Sequence, residues 1–330
     1  MNKKLILATF IPLLLIFGLF FLVRKSSIRT YNFERTHQPS KLGILQTVSN
    51  AGVYEIKVHN DRLYGTDLKA IYLVEFPSMK RRIVSELLTQ PIIGWGFHYD
   101  TILAAIANTR TIYYINPKGK YEPYQKFTFA VKKIFIANDS IILLKASDTS
   151  FINDEFYSFN LNSKKIIKLI DNLQKFNDGG FATDGDFIDS KDKIIYFQFN
   201  MGRYSVIDKK DMIFLSNLST IDHNESPPPV IHFASQGFRL DEKFSKTNIT
   251  GFVKDSSLYL FSNAFSNEEY YHGAHRNEYP IDVYDLKTHA YKYSFQIPKN
   301  TISKGALMTV TLWGNRLFLI YSRKIIIGEI

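Results

Sequence analysis

The chain has 330 residues, 45% of them hydrophobic and 15% aromatic, and a formal net charge of +10. It contains no cysteine, which excludes disulfides, thiol catalysis and cysteine-based metal centres. Five basic groups and no acid fall in the first 30 residues, leaving 36 basic against 31 acidic groups scattered over the rest; a nucleic-acid binder needs a concentrated basic face, so no nucleic-acid partner is expected.

The first element is an uncharged stretch from Leu5 to Val23, with Lys3 and Lys4 before it and Arg24 and Lys25 after it. About 19 such residues are enough to span a bilayer core, and Pro12 and Gly18 are tolerated in a membrane helix. The run Phe20, Phe21, Leu22, Val23 and Arg24 lacks the small-residue site at which a signal peptide is cleaved. Residues 1–25 are therefore expected to form an N-terminal transmembrane helix, an uncleaved signal anchor that meets the membrane through residues 5–23. A linker follows over 26–40, and Arg24, Lys25, Arg29 and Arg35 are expected near lipid headgroups. Basic groups flank both ends of the anchor, so the positive-inside rule hardly discriminates orientation; an anchor ahead of a large β-domain points to export, with residues 41–330 in the periplasm or the extracellular space.

From residue 41 onward one pattern recurs six times: an apolar run, a tight polar turn, and a second apolar run. The turns fall at Asn60-Asp61, Tyr99-Asp100, Asn138-Asp139-Ser140, Lys191-Asp192, Asp255-Ser256 and Gly314-Asn315, spaced 39, 39, 53, 64 and 59 residues apart. Each repeat adds a third run, such as Thr111 to Asn116 or Ile281 to Asp285, and a more polar fourth, such as Lys165 to Leu169 or Asp211 to Leu215. Short β-branched and aromatic runs bounded by Asn, Asp and Gly are hairpin signals, and Asn and Asp reverse a strand cheaply because they tolerate left-handed backbone angles. Four antiparallel strands per repeat make a propeller blade. The expected fold is thus all-β, a six-bladed β-propeller of four-stranded blades. The last repeat ends after its third run, and a strand near 41–47 is expected to complete it and close the ring, which removes exposed sheet edges. A β-sandwich is the competing architecture. A seventh blade would have to hide within 216–250, where Pro227, Pro228 and Pro229 fit a sheet interior badly. The longest insertions lie around 216–248 and 264–280.

Three groups of residues are candidates for chemistry. The segment from Asp178 to Asp186 combines carboxylates with Gly179, Gly180 and Gly185; Asp184, Asp186 and Asp189 are candidate calcium ligands, since hard cations take several oxygens from one flexible loop. Against this, Ile188 stands where a ligand belongs, and a Gly-Asp turn between blades accounts for the same residues. His272, His275 and Arg276 sit in the 264–280 insertion. Two histidines three apart suit a transition metal on the right turn, but long insertions more often recognise a partner. Trp95 and Trp313 lie in or near first strands, where core packing competes with a stacking site at the channel mouth. No Gly-x-Ser-x-Gly, phosphate loop or dinucleotide fingerprint occurs.

The repeats, the anchor and the Asp178–Asp186 segment together resemble six-bladed propellers of the TolB-like and NHL-like class, in particular membrane-anchored or secreted propellers of Bacteroidota. The resemblance covers about residues 41–330 and is architectural. It implies a tethered, non-catalytic binding or scaffold module in the cell envelope that takes a protein or small ligand on one face. The alternative it implies is a hydrolase or lyase with a metal at the channel mouth; none of that group's catalytic residues can be placed on this sequence.

Overall fold

The computed structural model describes residues 30–39, 42–50, 52–147, 153–233, 237–241, 244–273, 278–298 and 306–330. The anchor expected over 1–25 lies outside the described residues, among which no helix is long and apolar enough to cross a membrane.

Two N-terminal strands, β1 (Thr30–Tyr31) and β2 (Gly43–Ser49), precede six four-stranded antiparallel blades. Blade 1 is β3 (Glu55–His59), β4 (Arg62–Thr66), β5 (Ile71–Glu75) and β6 (Lys80–Ile83); blade 2 is β7 (Ile92–His98), β8 (Thr101–Ile106), β9 (Thr111–Ile115) and β10 (Tyr121–Lys126). Blade 3 is β11 (Val131–Asn138), β12 (Ile141–Ser147), β13 (Asp154–Asn160) and β14 (Ile166–Lys168); blade 4 is β15 (Gly185–Asp189), β16 (Lys193–Gln198), β17 (Arg203–Asp208) and β18 (Phe214–Ser219). A separate hairpin, β19 (Val230–Phe233) and β20 (Gly237–Leu240), comes before blade 5. Blade 5 is β21 (Asn248–Lys254), β22 (Ser257–Ser262), β24 (Glu278–Asp285) and β25 (Tyr291–Pro298), with β23 (Phe265–Ser266) and helix α1 (Asn267–Tyr271) inserted between its second and third strands. Blade 6 is β26 (Leu307–Trp313), β27 (Arg316–Tyr321) and β28 (Lys324–Glu329), and β2 supplies its outermost strand, pairing from Gly43 opposite Glu329 to Ser49 opposite Lys324.

The strand order follows from burial. Second strands carry runs of consecutive buried apolar residues, such as Ile142, Leu143 and Leu144 or Ile194, Ile195, Tyr196 and Phe197. They are covered on both faces by neighbouring blades, which is why they do not alternate with polar residues. The outermost β14 is exposed throughout. Each interface between neighbouring blades holds its own apolar cluster, such as Ile56, Leu63 and Val74 against Phe318, Ile320 and Ile327 where blade 1 meets blade 6. Phe156 of blade 3 meets Tyr196 and Phe214 of blade 4 edge-on, with centroids 4.9 and 5.3 Å apart. Large aromatic rings fill these wedge-shaped gaps at low entropic cost.

The repeated turns have the conformation their residues favour. Asn60 (φ 47°) and Asp61 (φ 56°) are both left-handed, as are Asp255 (47°) and Ser256 (61°); two successive positive φ values make the hairpin turn whose twist matches its strands. One strand is displaced from its expected place. The last strand of blade 4 begins at Phe214 rather than Asp211, because Met212 is left-handed (φ 55°) and the Asp208 carboxylate accepts from the Lys210 and Asp211 amides, which keeps 209–212 in the turn.

Antiparallel order gives the ring two unlike faces. The connections within strand pairs 1–2 and 3–4 emerge on one side and are tight, so we call it the turn face. Connections 2–3 and the crossings between blades emerge on the other, the insertion face. It carries the 169–184 crossing, the β19–β20 hairpin, and β23 with α1. The chain also enters here: β1 pairs in parallel with β23, Thr30 opposite Phe265, before His37 bridges to Ser294 of β25.

Candidate functional site

Four lysines and four aspartates meet where blades 3, 4 and 5 reach the insertion face. Lys132 and Lys133 come from the start of β11, Lys145 from the end of β12 and Asp154 from the start of β13. Asp178 and Asp184 come from the 169–184 crossing, Asp186 from β15, and Lys246 stands two residues before β21. First strands line the axis of a propeller, so this group lies at one mouth of the central channel.

Its centre is an ion pair between two side chains each only 1% exposed, Lys145 Nζ to Asp154 Oδ2 at 2.8 Å. Lys145 also reaches Asp184 Oδ1 at 3.0 Å, and Lys132 pairs with the other oxygen of Asp154. Lys133 pairs with Asp186 at 2.8 Å. Burial pulls the Lys145 pKa down, but Asp184 and Asp154 outweigh it and hold the ammonium well above its usual range. Burial likewise raises the Asp184 carboxyl, and the Lys145 charge prevails to keep it below the usual carboxylate range. A charge out of water persists only when paired in this way.

The glycines of the Asp178–Asp186 segment serve this packing. Gly180 is left-handed (φ 84°), and a Cβ there would lie 2.6 Å from the Asp154 carboxyl carbon. The Asp178 carboxylate accepts from the Gly180 and Ala182 amides at 2.9 and 2.7 Å and so shapes the turn; burial raises its pKa in spite of those bonds. Thr183 Oγ1 donates to Asp154 at 3.2 Å. A Cβ on Gly179 would meet Phe238 at 2.9 Å, which places the β19–β20 hairpin directly over the turn.

Lys246 is the cation left over. It makes no ion pair with a described residue, and its Nζ stands 3.7 Å from the centroid of Phe199. Lys133 Nζ approaches the same ring at 5.6 Å. Lys246 is open to solvent yet set among the walls of the mouth. Desolvation there lowers its pKa, and the Lys133 charge adds to the lowering against the pull of Asp184. An ammonium on an aromatic ring beside a second lysine is a receptor for an anionic group.

The residues expected from sequence separate into three places. Asp184 and Asp186 are in this cluster, each held by its own lysine, whereas Asp189 lies away from it and pairs with Lys209 at 2.7 Å. Among the described residues no three His, Asp or Glu side chains are grouped as metal ligands. Trp95 is 1% exposed and packs with Ile71, Ile92 and Ile102; its Nε1 donates to Glu55 at 2.7 Å, and its carbonyl accepts from Lys57. Trp313 is half-buried at the turn face, edge-on to Phe76 at 5.8 Å. His272 is 77% exposed just after α1, 4.0 Å from Glu268. His275 and Arg276 lie outside the described residues.

Sequence reasoning missed Lys132, Lys133, Lys145, Lys246 and Phe199. Only Lys145 carried a visible sign: it interrupts the apolar run Ile141-Ile142-Leu143-Leu144, and a lysine in a fully buried strand needs a partner. Arg35, expected near lipid headgroups, is instead wholly buried because two carboxylates pair with it. Its Nε and Nη2 grip Asp282 at 2.6 and 3.1 Å, Nη1 pairs with Glu269, and Nη2 donates to the Ala264 carbonyl at 3.0 Å. Glu269 also accepts from the Ser266 amide at 2.8 Å, in the capping box that starts α1. Arg35 thereby ties the N-terminal segment, α1 and blade 5 together.

No protein-family model and no curated protein sequence matches this chain. Solved structures do match in fold. A gluconolactonase from Xanthomonas campestris aligns over 92% of this chain and 99% of its own, with a TM-score of 0.55 and 10% identity. The N-terminal domain of Nup159 aligns over 92% and 99%, with a TM-score of 0.50 and 11% identity. At such identities the likeness establishes the propeller fold.

Proposed function

We propose that this protein is a membrane-tethered, non-catalytic binding propeller of the cell envelope, related to the TolB-like and NHL-like class, whose ligand site is the channel mouth on the insertion face. The observation that carries this reading is Lys246: among the described residues every other charge of the cluster is paired with an opposite charge or, for Asp178, held by backbone amides, and this one ammonium, standing on Phe199, is left to meet a group from outside. The likeness to a gluconolactonase is one of fold. A hydrolase that used a metal here would have to draw Asp184 and Asp186 away from Lys145 and Lys133, so binding without catalysis fits the pairing better. The residue 5–23 stretch supplies the tether, and its length and charged flanks support that part.

Titration calorimetry on the full-length protein tests the site, with inorganic phosphate, glutarate and short-chain phosphatidylglycerol as probes. At least one anionic probe is expected to bind saturably to the wild type and to lose that binding in Lys246→Ala, whose thermal midpoint stays unchanged because the side chain is exposed. Equal binding by both proteins, or none by any probe, overturns the reading.

A further inference from the structure

The exposed apolar side chains are distributed unevenly. Six of them stand on connections of the insertion face: Tyr54, Leu87, Ile170, Ile231, Phe233 and Tyr271, which are 41, 67, 94, 44, 39 and 84% exposed. They come from the crossings between blades 6 and 1, 1 and 2, 3 and 4, and 4 and 5, and from the α1 insertion of blade 5. Among the described residues of the turn-face connections, only Tyr99 and Ile213, 63 and 56% exposed, are large apolar side chains so exposed. The outermost strands also expose aliphatic residues, such as Ile44 and Leu45 on blade 6, Ile83 on blade 1, Ile167 on blade 3 and Leu215 on blade 4. These point outward around the circumference, so no single plane touches them together. The insertion-face set lies on one side of the ring.

The path of the chain specifies what that plane meets. Arg35 and the β1–β23 pairing fasten residues 30–38 to blade 5, so the polypeptide leaves the propeller at Thr30, on the insertion face beside α1. The apolar stretch ends at Val23. Seven residues extend at most about 25 Å, which holds this face within that distance of any bilayer the stretch enters. Arg24, Lys25 and Arg29 lie in the same short link and suit anionic headgroups.

We infer that the insertion face rests on the lipid bilayer, with its apolar side chains in the headgroup layer and the turn face directed away from the membrane. This rests on the tethered reading above. Isolated exposed residues carry no such meaning, but an apolar set on one face beside a membrane anchor has the character of an interfacial contact. The channel mouth and Lys246 then open toward the headgroups, where phosphates are the abundant anionic groups.

The absence of native cysteine permits single-site labelling. In the full-length protein reconstituted into phosphatidylcholine–phosphatidylglycerol vesicles, a bimane label is placed at Ile170→Cys, Leu87→Cys or Tyr271→Cys, and for the turn face at Ser163→Cys or Asn315→Cys. All five positions are exposed, so the variants fold. Lipids carrying a nitroxide at the headgroup are expected to quench most of the fluorescence from the first three sites and little from the last two. Equal quenching at both faces, or none at either, overturns the seating while the anchor stands. Release of the wild type from the vesicles by alkaline carbonate overturns the anchor, and the seating falls with it.

Discussion

The two faces of this propeller are made from the same strands and obey different rules. On the turn face, Asn60, Asp61, Asp255 and Ser256 reverse the chain in two residues with left-handed backbone, and each connection is held by its own local hydrogen bonds. Asn160, for example, accepts from the Asn162 and Ser163 amides. On the insertion face the long insertions are held by partners distant in sequence: Arg35 by Glu269 and Asp282, Lys145 by Asp154 and Asp184, Gly179 against Phe238. Local chemistry builds the repeat, and non-local charge pairing builds the departures from it.

The contrast can be broken most forcefully at Arg35. Arg35→Met leaves the buried Asp282 carboxylate without a cation and Glu269 with His37 Nε2 at 3.3 Å as its remaining basic neighbour, which costs about 3–5 kcal/mol. Urea unfolding should show that loss, and hydrogen exchange should rise in α1 and residues 30–38 while the turn face stays protected. Protection of α1 unchanged from the wild type would mean that the insertion face does not depend on this clamp. Lys145→Met takes the buried cation from Asp184 and leaves Asp154 with Lys132 alone, and it is expected to cost less, about 3 kcal/mol at most, with a lowered thermal midpoint; a midpoint within a degree of wild type would refute the idea that this pair organises the mouth.

Substitutions in the turn face should be milder. Asp255→Ala at φ 47° is expected to cost about 1 kcal/mol, since an alanine pays the left-handed steric penalty, whereas Asp255→Gly should be near neutral. Equal losses for the two would point to a side-chain role rather than a backbone one.

Acid sharpens the comparison further. The folded Asp184 carboxyl titrates below its unfolded value, so its contribution is complete above about pH 4 and is lost as pH falls through the lower folded value. Asp184→Asn should flatten the acid side of the stability profile; a profile that still matches the wild type would remove Asp184 from the network. The smallest effect is expected at His272→Ala, within about 0.5 kcal/mol by urea unfolding, because the ring is 77% exposed and its ionic neighbour among the described residues, Glu268, stands 4.0 Å away.

Much of the candidate site could not be read from the chain because its members are far apart. Lys132 and Lys246 are separated by more than two blades, and no spacing rule joins them. The Asp178–Asp186 segment did stand out, since carboxylates among glycines are uncommon, but its partners did not. Its aspartates read either as ligands for a cation or as a Gly-Asp turn between blades; Asp184 and Asp186 face lysines of the protein itself. Trp95 stood out for its size, and its ring is buried in packing between blades 1 and 2.

What the sequence by itself determined is the blade: short β-branched runs and Asn-Asp turns encode hairpins through local backbone preference, and their sixfold recurrence sets the number of blades. The tertiary structure alone decided which charges meet and which face gathers them. Strand order alternates the two ends of every blade, so all crossings between blades fall on one side, and the ring brings lysines and aspartates from three blades to a common mouth.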